Sequence, residues 1–177
     1  NSIRPKEFVQ RLRNIGRHFR VGRQEDAHEF CRFLLDAMHR SCLSAAGMKA
    51  TATGRVAETS PVHQVFGGYL RNQLRCPSCG FCSNTHDAFL DLSLDLPKGC
   101  STLAGALGAF TSLERLDAEN KWECTHCHNL VRATKQIAIA EEGAPLVLAL
   151  HLKRFRYGRY GRKIDRHIYF PRHLSIA

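Results

Sequence analysis

The chain of 177 residues is 44% hydrophobic, enough for a buried core, and its longest clean apolar run, Ala144 to Leu150, falls far short of the roughly 18 residues a membrane span needs. Its net charge of +10 is unevenly spread: residues 1–30 carry seven basic and four acidic side chains, residues 31–150 eleven of each, and residues 151–177 eight basic and one acidic. A basic end admits nucleic-acid contact, but without aromatics interleaved along a groove a solvated surface is the better reading, and nucleic acid is not the expected partner.

Residues 1–20 read as a basic amphipathic helix with Phe8, Leu12 and Ile15 at helical spacing. Gly16 and Gly22 frame a break before Gln24-Glu25-Asp26-Ala27-His28-Glu29-Phe30. From there Phe30, Phe33, Leu34, Ala37 and Met38 follow the i, i+3, i+4, i+7, i+8 pattern of a helix with one buried face. Glu25, Asp26 and Glu29 in its first turn suit the positive end of the helix dipole. Residues 44–61 are rich in Ala, Thr, Gly and Ser and predict a mobile surface insertion.

Val65 to Leu70 predicts a strand. Leu90, Leu92, Leu94 and Leu96 alternate with polar residues, the period of a strand with one buried face. Leu103, Leu107 and Phe110 predict a short helix capped by Ser101 or Thr102. The run Leu146 to Leu152 reads as a central strand buried on both faces. Gly158 and Gly161 mark a turn, and Ile164, Ile168, Tyr169 and Phe170 a return strand. His151, inside the apolar run, reads as a hydrogen-bonded core histidine rather than a base.

Two short pairs organise the chain, Cys76-Pro77-Ser78-Cys79 and Cys124-Thr125-His126-Cys127, with 44 residues between them. Each Cys-x-x-Cys step turns two thiolates toward one centre, and four thiolates close a tetrahedral Zn²⁺ shell with no open position. Such a site is structural. A redox dithiol would sit near a βαβ pattern, which the sequence lacks. Cys82, His126 and His128 lie close by as rival ligands. Eight cysteines in this spacing, with no visible secretory signal, point to a reducing compartment, cytoplasm or nucleus. The opening at Asn1, in helix-like sequence, reads as part of a longer polypeptide.

The run Gln24 to Phe30 resembles the Gln-box of the ubiquitin-specific proteases, the deubiquitinating cysteine proteases. The same is true of Phe66-Gly67-Gly68-Tyr69-Leu70, of Leu107 to Trp122, of Leu150-His151-Leu152-Lys153-Arg154-Phe155 and of Tyr169-Phe170-Pro171. Order and spacing agree along nearly the whole chain, the 44–61 insertion excepted.

The resemblance implies an α+β fold, a partial papain-like hand: thumb helices over 1–43, zinc-ribbon fingers over 62–145 and the start of a palm sheet over 146–177. It implies ubiquitin and ubiquitinated proteins as partners, with ubiquitin against the fingers. Its tail arginines would be held by Asp26 and Glu29, whose three-residue spacing lets both face one ligand. The family's nucleophile lies in a Gly-x-x-Cys-type box and its base in a Gly-His-Tyr box, and neither occurs among these residues. Cys31, on the helix, reads as a small core residue. No catalytic residue is therefore assigned, and the isolated chain is expected to be inactive. The alternatives are a ubiquitin-binding scaffold without chemistry and, further off, a zinc-ribbon nucleic-acid binder.

Overall fold

In the computed structural model, residues 5–51, 54–155 and 163–176 are described. They form two compact units, Asn1–Gly67 and Gly68–Ala177. The predicted turn at Gly158 and Gly161 lies outside the described residues.

The first unit is helical. The expected single helix over residues 1–20 is instead two short ones, α1 (Lys6–Gln10) and α2 (Leu12–Ile15), separated at Arg11, whose backbone leaves helical geometry at φ −102° and ψ 13°. Ile15 is buried while Phe8 is exposed, so the apolar stripe is only half used. Phe19, 1% exposed, fills the space between this segment and α3 (Ala27–Ala45), meeting Phe30 and Phe33 edge-on. On α3, Leu35 and Leu43 are the buried residues. Phe30, Phe33, Leu34 and Ala37 are half-buried, and Met38 is exposed rather than part of the buried face. Cys31 is exposed too, not a core residue, because its helical position faces away from that stripe.

The segment expected as an insertion holds regular structure. It includes α4 (Arg55–Glu58) and leads into α5 (Pro61–Phe66). Ser60 caps α5 through the His63 N–H and is itself buried, its Oγ 2.6 Å from His39 Nδ1 on α3. The strand predicted from Val65 therefore begins later, because Ser60-Pro61 starts a helix that runs to Phe66.

The second unit is built on a four-stranded antiparallel sheet of order β2-β1-β7-β4. Its strands are β1 (Gly68–Arg75), β2 (Cys82–Phe89), β4 (Glu114–Arg115) and β7 (Thr134–Ile139). β3 (Leu92–Leu94) pairs in parallel with β8 (Leu150–Leu152), and β5 (Trp122–Glu123) pairs with β6 (Leu130–Val131). The predicted alternation holds: Leu92, Leu94 and Leu96 are buried, and they pack with Ala106 and Leu107 of α6 (Leu103–Phe110) and with Ile168. Thr102 caps α6 through the Gly105 N–H.

Two expectations fail here. The 146–152 run is a strand only over Leu150–Leu152, and Leu146 is 82% exposed. β8 is limited by its partner β3, which is three residues long. The return strand is reduced to isolated bridges, Thr102 with Tyr169 and Phe155 with Lys163, and Tyr169 and Phe170 are exposed. His151 is half-buried and hydrogen-bonds to Ser93 at 3.0 Å, as a core histidine should.

Candidate functional site

The two knuckles are built alike. The Cys76 N–H donates to the Phe81 carbonyl and the Gly80 N–H to the Cys76 carbonyl. In the second knuckle the Cys124 N–H donates to the Asn129 carbonyl and the His128 N–H to the Cys124 carbonyl. The residue after each pair takes left-handed backbone, Gly80 at φ 75° and His128 at φ 55°. That sharp reversal turns both cysteines of a pair toward the same point. β1 and β2 carry the first knuckle between them, and β5 and β6 flank the second.

The four sulfurs of Cys76, Cys79, Cys124 and Cys127 come within 4.8 Å of one another. Cys76 and Cys127 are 3.8 Å apart, Cys79 and Cys124 3.7 Å. A Zn²⁺ with Zn–S bonds of about 2.3 Å in a tetrahedron needs sulfurs about 3.8 Å apart. The donor set and its spacing therefore fit, and the cluster is able to hold a metal ion. Among the described residues this is the one such group of ligand atoms. Cys76 and Cys124 are buried and pack with Val131 and Ala133, with Leu74, Phe81 and Trp122 around them. The rivals stay out. The Cys82 thiol points to the Gly80 carbonyl, and His126 stacks on Phe81 with ring centroids 5.5 Å apart.

Thiols this close do not ionise alike. Burial pushes the Cys76 thiol up, but the N–H groups of Cys79 and Ser78 and the thiols of Cys79 and Cys124 outweigh it and bring it down to about 7. At Cys79 the Phe81 N–H favours the thiolate. Burial and the thiols of Cys76, Cys127 and Cys124 overcome this and push it up to about 12.

Asp26 and Glu29 stand at the start of α3. Asp26 is its N-cap, with Oδ1 accepting from the His28 N–H at 2.7 Å and the Glu29 N–H at 3.3 Å. Glu29, in the first turn, lies 3.6 Å from His18 Nε2. Glu25 accepts from the Arg20 N–H. Asp26 is exposed beside a shallow cleft of about 350 Å³ that Phe19 and Phe30 help to line. The helix-end role expected of these acids is thus present at Asp26, and it uses one carboxylate oxygen. Sequence reading missed the buried Ser60–His39 pair, although Ser-Pro before a helical run was its signal. It also missed the left-handed residue His128, for which no residue type gave warning.

The family model of ubiquitin carboxyl-terminal hydrolase matches residues 1–177. The chain belongs to that family. It is 42% identical over 178 residues to probable ubiquitin carboxyl-terminal hydrolase 16 of Schizosaccharomyces pombe, covering 100% of this chain and 37% of that protein. It is 45% identical over 175 residues to ubiquitin carboxyl-terminal hydrolase 23 of Arabidopsis thaliana, covering 98% of this chain and 20% of that protein. Among solved structures it is similar to the SAGA DUB module of Ubp8, Sgf11, Sus1 and Sgf73 bound to monoubiquitin. The TM-score is 0.78 at 33% identity, over 95% of this chain and 36% of that one. This family member therefore spans little more than a third of these relatives, or less. The α+β reading of a partial protease hand with four-cysteine fingers is borne out. No described helix is long and apolar enough to cross a membrane.

Proposed function

We propose that this chain is the ubiquitin-gripping, metal-braced part of a cysteine deubiquitinase. The observation that carries the reading is the family match over all 177 residues, supported by the likeness to a module bound to monoubiquitin. The reaction is hydrolysis of the bond after ubiquitin's C-terminal glycine. A thiolate attacks the carbonyl, the amine leaves with a proton from an imidazolium, and water releases the acyl-enzyme. The nucleophile and base belong to boxes outside these residues, and this chain supplies grip.

In this reading Cys76, Cys79, Cys124 and Cys127 hold Zn²⁺, which with four protein ligands supplies cross-linking and no Lewis-acid site. Residues 1–43 serve as thumb helices, 62–145 as fingers and 146–177 as the start of the palm. Asp26 and Glu29 take the arginines of the ubiquitin tail. The capping bonds of Asp26 to Oδ1 support this role, because they orient its carboxylate at the helix start. Four reduced thiols as ligands suit the cytoplasm or nucleus.

The test is calorimetric titration of ubiquitin into the zinc-loaded chain and into Asp26→Asn/Glu29→Gln. Loss of a buried charged contact of this kind removes about 2–5 kcal/mol of binding. Unchanged affinity in the double variant would sink the tail assignment. Cleavage of a ubiquitin thioester by the whole polypeptide separates the enzyme from a scaffold that binds and does no chemistry.

A further inference from the structure

The four-stranded sheet has two edge strands. One is β4, two residues long, and a short edge resists the addition of another strand. The other is β2, eight residues from Cys82 to Phe89, paired with β1 along its whole length without a bulge. It contains no lysine, arginine or proline, the residues that commonly guard such an edge. Asn84 to Ala88 are all exposed.

The knuckle reveals which backbone groups of β2 point outward. The Cys76 N–H donates to the Phe81 carbonyl, and this pair continues the β1–β2 register. Hydrogen-bonded pairs recur at every second residue of an antiparallel ladder. Ser83, Thr85, Asp87 and Phe89 therefore direct their N–H and carbonyl groups at β1, while Cys82, Asn84, His86 and Ala88 turn theirs off the edge. Among the described residues no hydrogen bond reaches these outward groups.

Such a row accepts an extended chain through backbone bonds, and side chains decide which chain fits. The sequence of β2 fits itself. When two copies pair antiparallel, outward residues must oppose outward residues. The register centred on Thr85 sets Cys82 against Ala88 and Asn84 against His86, with Thr85 against Thr85 and Ser83 against Asp87 between them. Each outward N–H then meets a carbonyl of the other copy. Threonine facing threonine and a hydroxyl facing a carboxylate are stabilising cross-strand pairs, and no like charges stand opposite. Asp87 is already oriented by the amide of Asn72 on β1, which donates to it. Neighbouring registers are shorter, and the one centred on His86 sets imidazole against imidazole. We propose that two copies of this chain associate through β2, antiparallel about Thr85, so that their sheets continue across a two-fold axis.

Sedimentation equilibrium of the zinc-loaded full chain tests this, with metal content and circular dichroism checked for each variant. The unaltered chain is expected to show a monomer–dimer equilibrium. Thr85→Lys places two like charges directly opposite, and His86→Pro removes an N–H that β1 does not use. Each is expected to weaken the dimer about tenfold while the β1–β2 ladder stays intact. Thr85→Cys reads the register. The Thr85 pair is not hydrogen-bonded, so its Cα atoms lie about 4.5 Å apart, within disulfide reach. Oxidised glutathione is expected to link Thr85→Cys into a covalent dimer but not Asp87→Cys, whose two copies lie about 14 Å apart. A chain still monomeric at about 1 mM overturns the proposal. So does a dimer that Thr85→Lys and His86→Pro leave unchanged, because its contact then lies elsewhere. Equal cross-linking of Thr85→Cys and Asp87→Cys overturns the pairing about Thr85.

Discussion

Cys82 lies three residues beyond Cys79, yet its thiol faces the Gly80 carbonyl 3.7 Å away and stays out of the cluster. His128 follows Cys127 directly, and its left-handed backbone serves the knuckle's reversal. Which sulfurs gather is thus fixed by how the backbone turns. Cys124→Ser is expected to abolish zinc binding, since Cys124 is fully buried at the centre of the cluster, while Cys82→Ser and His128→Gly keep one zinc per chain. Metal analysis after dialysis reads all three, and loss of zinc in Cys82→Ser would reassign the shell. Titration adds a second expectation. Cys76 in the fold lies below its ordinary 9.0, so its thiolate adds stability above pH 9, and that contribution drains as pH falls toward 7. Cys79 behaves oppositely, its protonated form adding stability below pH 9 that is lost as pH rises toward 12. Metal binding displaces thiol protons, and Cys76 has one to give only below about pH 7. The slope of log zinc affinity against pH should therefore steepen by about one proton between pH 8 and pH 6. A constant slope across that range would show that Cys76 is not the low thiol.

At the start of α3 Asp26 has an observed task, the cap, and a proposed one. Asp26 caps the helix with one oxygen, so Asp26→Ala should cost about 1 kcal/mol in a urea melt, whereas Asp26→Asn retains a capping carbonyl and costs little. Both remove the charge proposed for ubiquitin's tail. Equal stability loss in the two variants would show that the cap depends on charge rather than on the accepted hydrogen bonds. The elements legible in the sequence were those whose signals are local. The leucine alternation gave β3 and its extension to Leu96, and Thr102 followed by apolar helical spacing gave α6 with its cap. Elements set by distant partners were misread. An apolar run from Leu146 to Leu152 reports hydrophobicity, not how many residues a three-residue β3 pairs with. The break at Arg11 likewise carries no proline or glycine to announce it. The Cys-x-x-Cys pairs were legible as a site because each pair's spacing is local.

At the scale of the molecule, the basic end is partly consumed by the fold. Arg154 donates to the Ile164 and Arg166 carbonyls, Arg166 to the Leu96 carbonyl, and Lys153 meets Asp95 at 3.3 Å. These cations are spent holding the segment beside β3, which weakens the case for a nucleic-acid surface. The cysteine cluster likewise has a core of its own. α1 to α5 lie in the unit Asn1–Gly67, and α6 belongs to the core of Leu92, Leu94 and Leu96. The knuckle core of Cys76, Cys124, Val131 and Ala133 shares no buried residue with that one. Zinc at such sites binds with an apparent free energy of about 10–16 kcal/mol, comparable to the stability of a whole domain. Its loss should therefore melt what it touches and little else. Trp122, the one tryptophan of the sequence, packs on the knuckle core and reports on it alone. Chelation with EDTA is expected to redden Trp122 fluorescence while the helical signal at 222 nm largely persists, because the residues that make up that core come from strands and loops. If helix and tryptophan signals fell together at one chelator concentration, the two cores would melt as one cooperative body, and the metal would hold the whole chain rather than its fingers.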